Sequence, residues 1–236
     1  MSVSADLTAE ALATLMPGRP LRSYPALVST GSAAFDWAGS GAPDGAVVVA
    51  DYQLSARGHG GRPWTVAQGR GLGFSLVMRP TLAGEREGWL YTVVVSALAE
   101  ACGADATIEW PDEIRLAGEM AAAVAIRTRL GATGVEWAVV DVLLPSAEAP
   151  RGELLRAVLA AIEKRRAGAP EAIMDDYERR CETIGRQVRV RFIAGTGPRV
   201  EGRAVATLDD GALLLELASG SRGPVRPQDV RGVEHA

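Results

Sequence analysis

The chain has 236 residues, a net charge of −4 and 47% hydrophobic residues. This length accommodates one sizeable domain and one small one, and this hydrophobic content excludes global disorder. With a negative net charge, the chain lacks the positive potential with which proteins hold nucleic acid non-specifically. No apolar run approaches the ~18 residues of a membrane span. We therefore expect neither a nucleic acid nor a membrane as a partner.

The two cysteines and the single lysine narrow the chemistry further. Cys102 and Cys181 have no metal-type spacing and form no disulfide framework, which favours a reducing cytoplasm, and no signal peptide precedes them. Lys164 lies on the polar side of a predicted helix, away from any motif. An enzyme that needs a lysine in its site has only this one.

The pattern of apolar residues predicts helices and strands in an order typical of an α/β domain. Helical spacing with capping and breaking residues predicts helices over 6–15, 32–38, 90–102, 150–166 and 173–181. Runs of β-branched residues predict extended segments over 21–28, 46–51, 73–79, 107–110, 121–128 and 136–144. The predicted fold of residues 1–181 is therefore a mixed sheet with flanking helices.

The composition changes near residue 182. From Gln187 onward the chain consists of short strands and tight turns, with Asp209-Asp-Gly211 as a hairpin turn between apolar runs. About 55 residues of this kind favour a small barrel of the SH3 type. We therefore predict a second domain over 182–236.

The segment Arg57-Gly-His-Gly-Gly-Arg62 is the most informative local feature. Glycines let backbone N–H groups converge into an anion-binding concavity, and arginines add charge-assisted contacts to phosphate or carboxylate. The alternative is a flexible surface turn that two arginines keep solvated. We expect this loop to border the main pocket and to be mobile without ligand.

In its wider context, the loop resembles that of the biotin–protein ligases. That family has a glutamine, a Gly-Arg-Gly-Arg-x-Gly-Arg-x-Trp loop, a strand ending in Arg-Pro, a Lys-Trp-Pro-Asn-Asp motif and a C-terminal barrel. The matching segments occur here in the same order, at 49–64, 73–80, 108–113, 180–190, 202–206 and 210–215. The resemblance spans residues 21–236 and implies a biotin/lipoate-ligase-like domain followed by an SH3-like barrel.

The resemblance also implies an activity. The family joins biotin to ATP as biotinyl-adenylate and then passes the biotinyl group to a lysine of a carrier domain. Biotin and ATP are thus the implied substrates, with Mg²⁺ as an accompanying ion and a small-molecule acid and a carrier domain as partners. The short helix over 6–15 does not suffice for a DNA-binding domain. Monomer and homodimer both stay open.

Site residues carry over position by position. Ser29 and Thr30 match the start of a Ser-Thr-Asn motif near the biotin head, and Gln53 matches a glutamine that contacts biotin. Arg57 matches the first loop arginine, which binds biotin near the acyl phosphate and takes part in catalysis. The other matched positions, assigned to the nucleotide, are Gly58, Gly60, Gly61, Arg62 and Trp64.

Two acidic residues are weaker candidates. Asp112 and Glu113 follow Trp110-Pro111, and both are carboxylates of the kind that holds Mg²⁺. The alternative is a solvated turn after a strand.

Several positions depart from the family pattern. The asparagine of Ser-Thr-Asn is Gly31, the second loop arginine is His59, and the catalytic lysine falls on Met120. His59 remains a candidate general base or phosphate contact, although an exposed polar residue is the simpler interpretation. Glu109 replaces another lysine, and the family's Gly-x-Gly-x-Asn strand end aligns with 141–145 and is lost.

These substitutions remove positive charge and add negative charge where ATP would bind. Losing one preorganised charge contact commonly costs ~3 kcal/mol of transition-state stabilisation, on the order of a hundredfold in rate. Three hypotheses follow: a biotin–protein ligase with impaired turnover, a binding protein that keeps a biotin or acyl-adenylate pocket without turnover, and a ligase of this fold for another acid.

Overall fold

The computed structural model describes residues 3–147, 150–193 and 200–235. A seven-stranded mixed sheet flanked by helices is followed by a five-stranded antiparallel sheet. This arrangement confirms the predicted α/β class, and the second sheet agrees with an SH3-like domain. The exact boundary at residue 182 stays a prediction.

Seven strands form the first sheet, in the order β1-β2-β3-β7-β6-β5-β4. They are β1 (Leu21–Tyr24), β2 (Val47–Ala50), β3 (Leu72–Met78), β4 (Thr107–Glu109), β5 (Glu113–Leu116), β6 (Glu119–Gly131) and β7 (Gly134–Leu144). β1 and β2 are parallel, whereas all other neighbours are antiparallel. The long hairpin of β6 and β7 contains the predicted extended segments 121–128 and 136–144.

All five predicted helices are present, with ends shifted by a few residues. They are α1 (Ala9–Leu15), α2 (Thr30–Gly39), α3 (Trp89–Cys102), α4 (Arg151–Arg166) and α5 (Pro170–Arg180). Within the described ranges, none of them has the length and apolarity needed to cross a membrane.

Helices cover both faces of the first sheet, which explains why its central strands are continuously apolar. α3 and α4 pack over the larger core, where Leu98, Val124 and Leu159 are buried. On the opposite face, α2 lies over β2, β3 and β7 and buries Ala34 and Val77. The N-terminus of α2 therefore lies beside the middle of the sheet, where the candidate site forms.

The second sheet has the order β11-β10-β9-β8-β12 and packs against the first domain. Its strands are β8 (Gln187–Phe192), β9 (Val200–Thr207), β10 (Leu213–Leu217), β11 (Arg222–Val225) and β12 (Val230–His235). The indole Nε1 of Trp110 donates to the carbonyl of Gly211 at 3.2 Å. Gly60 lies against Arg231 of β12, so this sheet also supports the glycine loop.

Candidate functional site

A cavity of about 620 Å³ opens between the two sheets, within the size range of small-molecule sites. Its walls come from the start of α2, the glycine loop, the start of α3 and strands β6 and β7. Ser29, Arg57, His59, Arg127 and Asp141 contribute polar groups to these walls. A recess of about 10 Å³ at the floor is lined in addition by Thr30, Gln53 and Trp64. The structure thus brings most of the predicted site residues to one place.

The glycine loop is a tight turn whose backbone groups largely bond to one another. Gly58 N donates to the Arg62 carbonyl at 2.6 Å, Gly61 N to Gly58 at 3.0 Å and Arg62 N to His59 at 3.2 Å. Gly60 and Gly61 have positive φ angles of 58° and 77°, which glycine adopts without strain. Three backbone N–H groups of the loop are therefore used within the loop itself. The loop offers an anion fewer hydrogen-bond donors than the sequence predicted.

His59 is buried, although the sequence favoured an exposed position. Only 3% of the residue is accessible, and its Nδ1 lies 2.9 Å from the hydroxyl of Tyr91. That hydroxyl also accepts from Ile126 N at 3.1 Å, which ties the loop to β6. Burial, with a further contribution from Arg62, lowers the pKa of His59 to about 4. His59 is therefore neutral near pH 7 and does not replace the charge of an arginine.

We predict that His59→Ala releases the loop. Without the imidazole, residues 57–62 lose their contact with Tyr91, so their amide hydrogens should exchange about tenfold faster than in the wild type. Hydrogen exchange measured without ligand checks this, and Tyr91→Phe should give a smaller change in the same segment. Exchange in β3 serves as the internal control and should not change. Equal protection of the loop in wild type and His59→Ala would contradict the anchoring role.

Arg62 is held by two carboxylates. It forms an ion pair with Asp112, and its Nη1 lies 3.0 Å from Oε1 of Glu113. Burial raises the pKa of Asp112 to about 7, although Arg62 opposes this rise. The described residues contain no cluster of three or more acidic, histidine or cysteine side chains suited to a metal. As arranged, Asp112 and Glu113 bind the guanidinium and do not fit the predicted Mg²⁺ site.

Of the two loop arginines, Arg57 is the one that can contact a ligand in the cavity. It is exposed, lines both the cavity and the recess, and has no carboxylate partner in the described part of the chain. Met120, at the position of the family lysine, packs with Trp64 against a small apolar cluster that includes Ala56 and Leu143. The neighbourhood of Arg57 is therefore apolar where the family pattern places a second cation.

Two of the three predicted biotin-head residues, Thr30 and Gln53, belong to one buried hydrogen-bond network. Gln53 Oε1 accepts from Thr30 N at 2.8 Å and from the Thr30 hydroxyl at 3.1 Å. Ser75 Oγ lies 2.8 Å from Thr30 Oγ1 and donates to Asp141 Oδ1 at 2.6 Å. Ser29 caps α2, where its hydroxyl accepts from Ser32 N at 3.4 Å. The network fixes polar groups at the floor, as a small-molecule head group requires.

Asp141 and Arg127 are site residues that the sequence analysis did not single out. Asp141 is 6% exposed and lies 3.4 Å from Nη2 of Arg127. Burial raises the pKa of Asp141 to about 6, against the lowering effect of Arg127. The available signal was the one carboxylate within the apolar run 137–144 of β7. A buried group with a perturbed pKa in a cavity wall is typical of functional sites.

We predict that Asp141 makes stability depend on pH in the opposite sense from an ordinary salt-bridged aspartate. Its folded-state pKa lies above the unfolded value, so the folded state binds the proton more tightly and its advantage fades as pH rises through about 6. Relative to Asp141→Asn, the wild type should lose about 1 kcal/mol of unfolding free energy between pH 5 and pH 8. Urea denaturation of both proteins at the two pH values measures this. A constant difference between them would contradict the buried carboxyl.

Comparisons with known proteins agree with this architecture. No family model matches the chain. It is 26% identical to the bifunctional ligase/repressor BirA of Bacillus subtilis over 240 residues, which covers 89% of this chain and 73% of that protein. The solved biotin protein ligase of Aquifex aeolicus in complex with biotin and ATP superposes with a TM-score of 0.70 at 20% identity, over 92% of this chain and 99% of that one.

A third comparison shows that related proteins extend beyond characterised ligases. A biotin protein ligase-like protein of unknown function from Silicibacter has a TM-score of 0.69 at 16% identity, over 90% of this chain and 96% of its own. The fold is that of the biotin–protein ligases. In sequence, the chain is similar to the Bacillus ligase/repressors over 89% of its length.

Proposed function

We propose that this chain binds a carboxylic acid and ATP in the cavity and activates the acid as an acyl-adenylate, with turnover of biotin strongly impaired. The observation that carries the proposal is the state of the loop cations. Arg57 faces the cavity unpaired within the described residues, Arg62 is bound by Asp112 and Glu113, and His59 is buried and neutral.

In the proposed reaction, the carboxylate of the acid attacks the α-phosphorus of ATP and pyrophosphate leaves. Arg57 offsets negative charge on the acyl phosphate, and Gln53 and Ser29 hold the acid. Met120 adds no charge to this step. Arg62 and Arg115 together face three carboxylates, Glu109, Asp112 and Glu113, so the charge beside the loop is net negative and resists a triphosphate. Each lost charge contact is worth ~3 kcal/mol, on the order of a hundredfold in rate.

Two alternative functions are each supported by one residue. Met120 favours a binding protein that keeps the acid or acyl-adenylate pocket without turnover. Asp141 favours a ligase of this fold for an acid other than biotin, because it changes the floor of the pocket. Transfer of the acyl group to a lysine of a carrier domain is part of the proposal in its active form.

Pyrophosphate release with biotin and ATP tests the proposal. We expect the wild type to be at least about a hundredfold slower than the Bacillus subtilis relative under the same conditions. Arg57→Met should remove the residual rate. Calorimetry with biotin, ATP and biotinyl-adenylate, each alone, separates binding from turnover. Turnover equal to that of the reference ligase would refute the impairment, and binding without any pyrophosphate release would favour the non-catalytic alternative.

A further inference from the structure

At the floor of the recess, a carboxylate stands where the family pattern would have an amide side chain. The family pattern places asparagine at Gly31, and here the space in front of Gly31 is occupied by Asp141. A Cβ atom on Gly31 would lie 2.5 Å from Oδ1 and 2.6 Å from Oδ2 of Asp141. Arg127 Nη2 lies at 2.5 Å from the same point, so the ion pair of Asp141 and Arg127 occupies the space that a side chain at position 31 would need.

Asp141 has acceptor capacity that the protein does not use. An ionised carboxylate accepts about four hydrogen bonds. Asp141 receives one from Ser75 at 2.6 Å and one from Arg127 at 3.4 Å, and no other partner occurs among the described residues. Arg127 makes this contact through one nitrogen, and 43% of its side chain is exposed. The guanidinium also lies over the Phe35 ring at 5.1 Å, so a competing cation has to replace one long hydrogen bond while Arg127 keeps its position on Phe35.

The neighbouring amide offers a ligand hydrogen-bond donors only. Gln53 Oε1 is fixed by its two bonds from Thr30, so the Nε2 amide is the part of this side chain left for a ligand, and Asp141 is the acceptor beside it. The ureido group of biotin is neutral and combines two N–H donors with a carbonyl acceptor, so Asp141 can accept from an N–H but gains no charge pairing and repels the carbonyl oxygen. An anionic head at Arg127 would meet the same repulsion, because the buried carboxylate lies directly behind that guanidinium.

We propose that the acid bound in this cavity carries a cationic nitrogen head, a guanidinium or an ammonium, that pairs with Asp141 in place of Arg127. The inference rests on the proposed function, since it takes the acid's carboxylate to lie near Arg57. The cation would complete the hydrogen bonding of Asp141, which charge-assisted pairing in a desolvated pocket favours. The head-group subsite then selects by charge against biotin.

Calorimetric titration of the full chain with defined acids tests this selectivity. The probes are ω-guanidinoalkanoic acids of increasing chain length, the matching unsubstituted alkanoic acids, and biotin. We expect the best guanidino acid to bind at least about tenfold tighter than its unsubstituted match, which corresponds to one charge-assisted pair. In Asp141→Asn the ratio of the two dissociation constants should fall to near one.

A second variant tests whether the effect of Asp141→Asn comes from the lost charge pairing and not from a structural change at position 141. Arg127→Gln removes the internal competitor, so guanidino acids should bind several-fold tighter than to the wild type. A guanidino acid that binds no better than its match, or a preference that survives in Asp141→Asn, would overturn the inference and leave the proposed function standing. If the wild type bound none of the acids, the proposed function and this inference would both fall.

Discussion

Met120→Lys should raise the rate of pyrophosphate release with biotin and ATP by about ten- to a hundredfold over the wild type. The substitution returns a cation to the position at which the family pattern has its lysine. Met120 packs with Trp64 beside Ala56, the residue before Arg57, so a lysine here adds its charge next to the only unpaired loop arginine among the described residues. Two cations would then share the developing charge.

Met120→Leu is the matched control, because it preserves volume and apolar character without adding charge. Its rate should equal that of the wild type. His59 is left unchanged in this experiment, since an arginine at that buried position would displace the loop from Tyr91. Equal rates for Met120→Lys and Met120→Leu, with both proteins folded, would show that charge at this position does not limit the reaction.

The sequence predicted the fold well because its signals are local or ordered along the chain. The β-branched runs of β2, β3 and β7 and the turn at 209–211 each reflect short-range chemistry. Ser29 and Gln53, which the motif order assigned to one site, line the same recess, and their role in binding stays a prediction. Such patterns depend little on which distant residues meet.

The state of the site residues was less predictable because distant partners determine it. His59 is buried because Tyr91, 32 residues away, and β12 of the second sheet close over it. Arg62 is neutralised by carboxylates 50 and 51 residues further along the chain. The sequence of the loop carries no information about these contacts. Its glycines alone therefore led to the prediction of a mobile, anion-binding loop.

The electrostatic changes at the two ends of the cavity have a common direction. At the loop end, positive charge is lost at Met120 and His59 or bound by acidic residues at Arg62. At the floor, Asp141 introduces negative charge into a desolvated position. Both changes disfavour the substrates of an ordinary biotin ligase, and both favour a ligand with more positive charge. Specificity and rate are thus expected to have changed together.

Gly31→Asn should destabilise the protein by about 3 kcal/mol, because its Cβ would lie within 2.6 Å of both carboxylate oxygens of Asp141. Much of the cost should vanish in the Asp141→Gly background, where the carboxylate is absent and Arg127 Nη2, which lies 2.5 Å from the same Cβ position, loses the partner beside it. A double-mutant cycle from urea denaturation measures this coupling, which we expect to be about 2 kcal/mol.

Gly39→Asn is the matched control, since Gly39 belongs to the same helix α2 and has no atom within 4 Å of an added Cβ. Its effect should stay within the ~1 kcal/mol of ordinary helix propensity. Additive effects at positions 31 and 141 would show that the two residues do not exclude one another. If they do, the double variant regains an amide at the floor and loses the buried charge. Calorimetry should then detect tighter biotin binding than in the wild type, which links the steric coupling directly to the choice of acid.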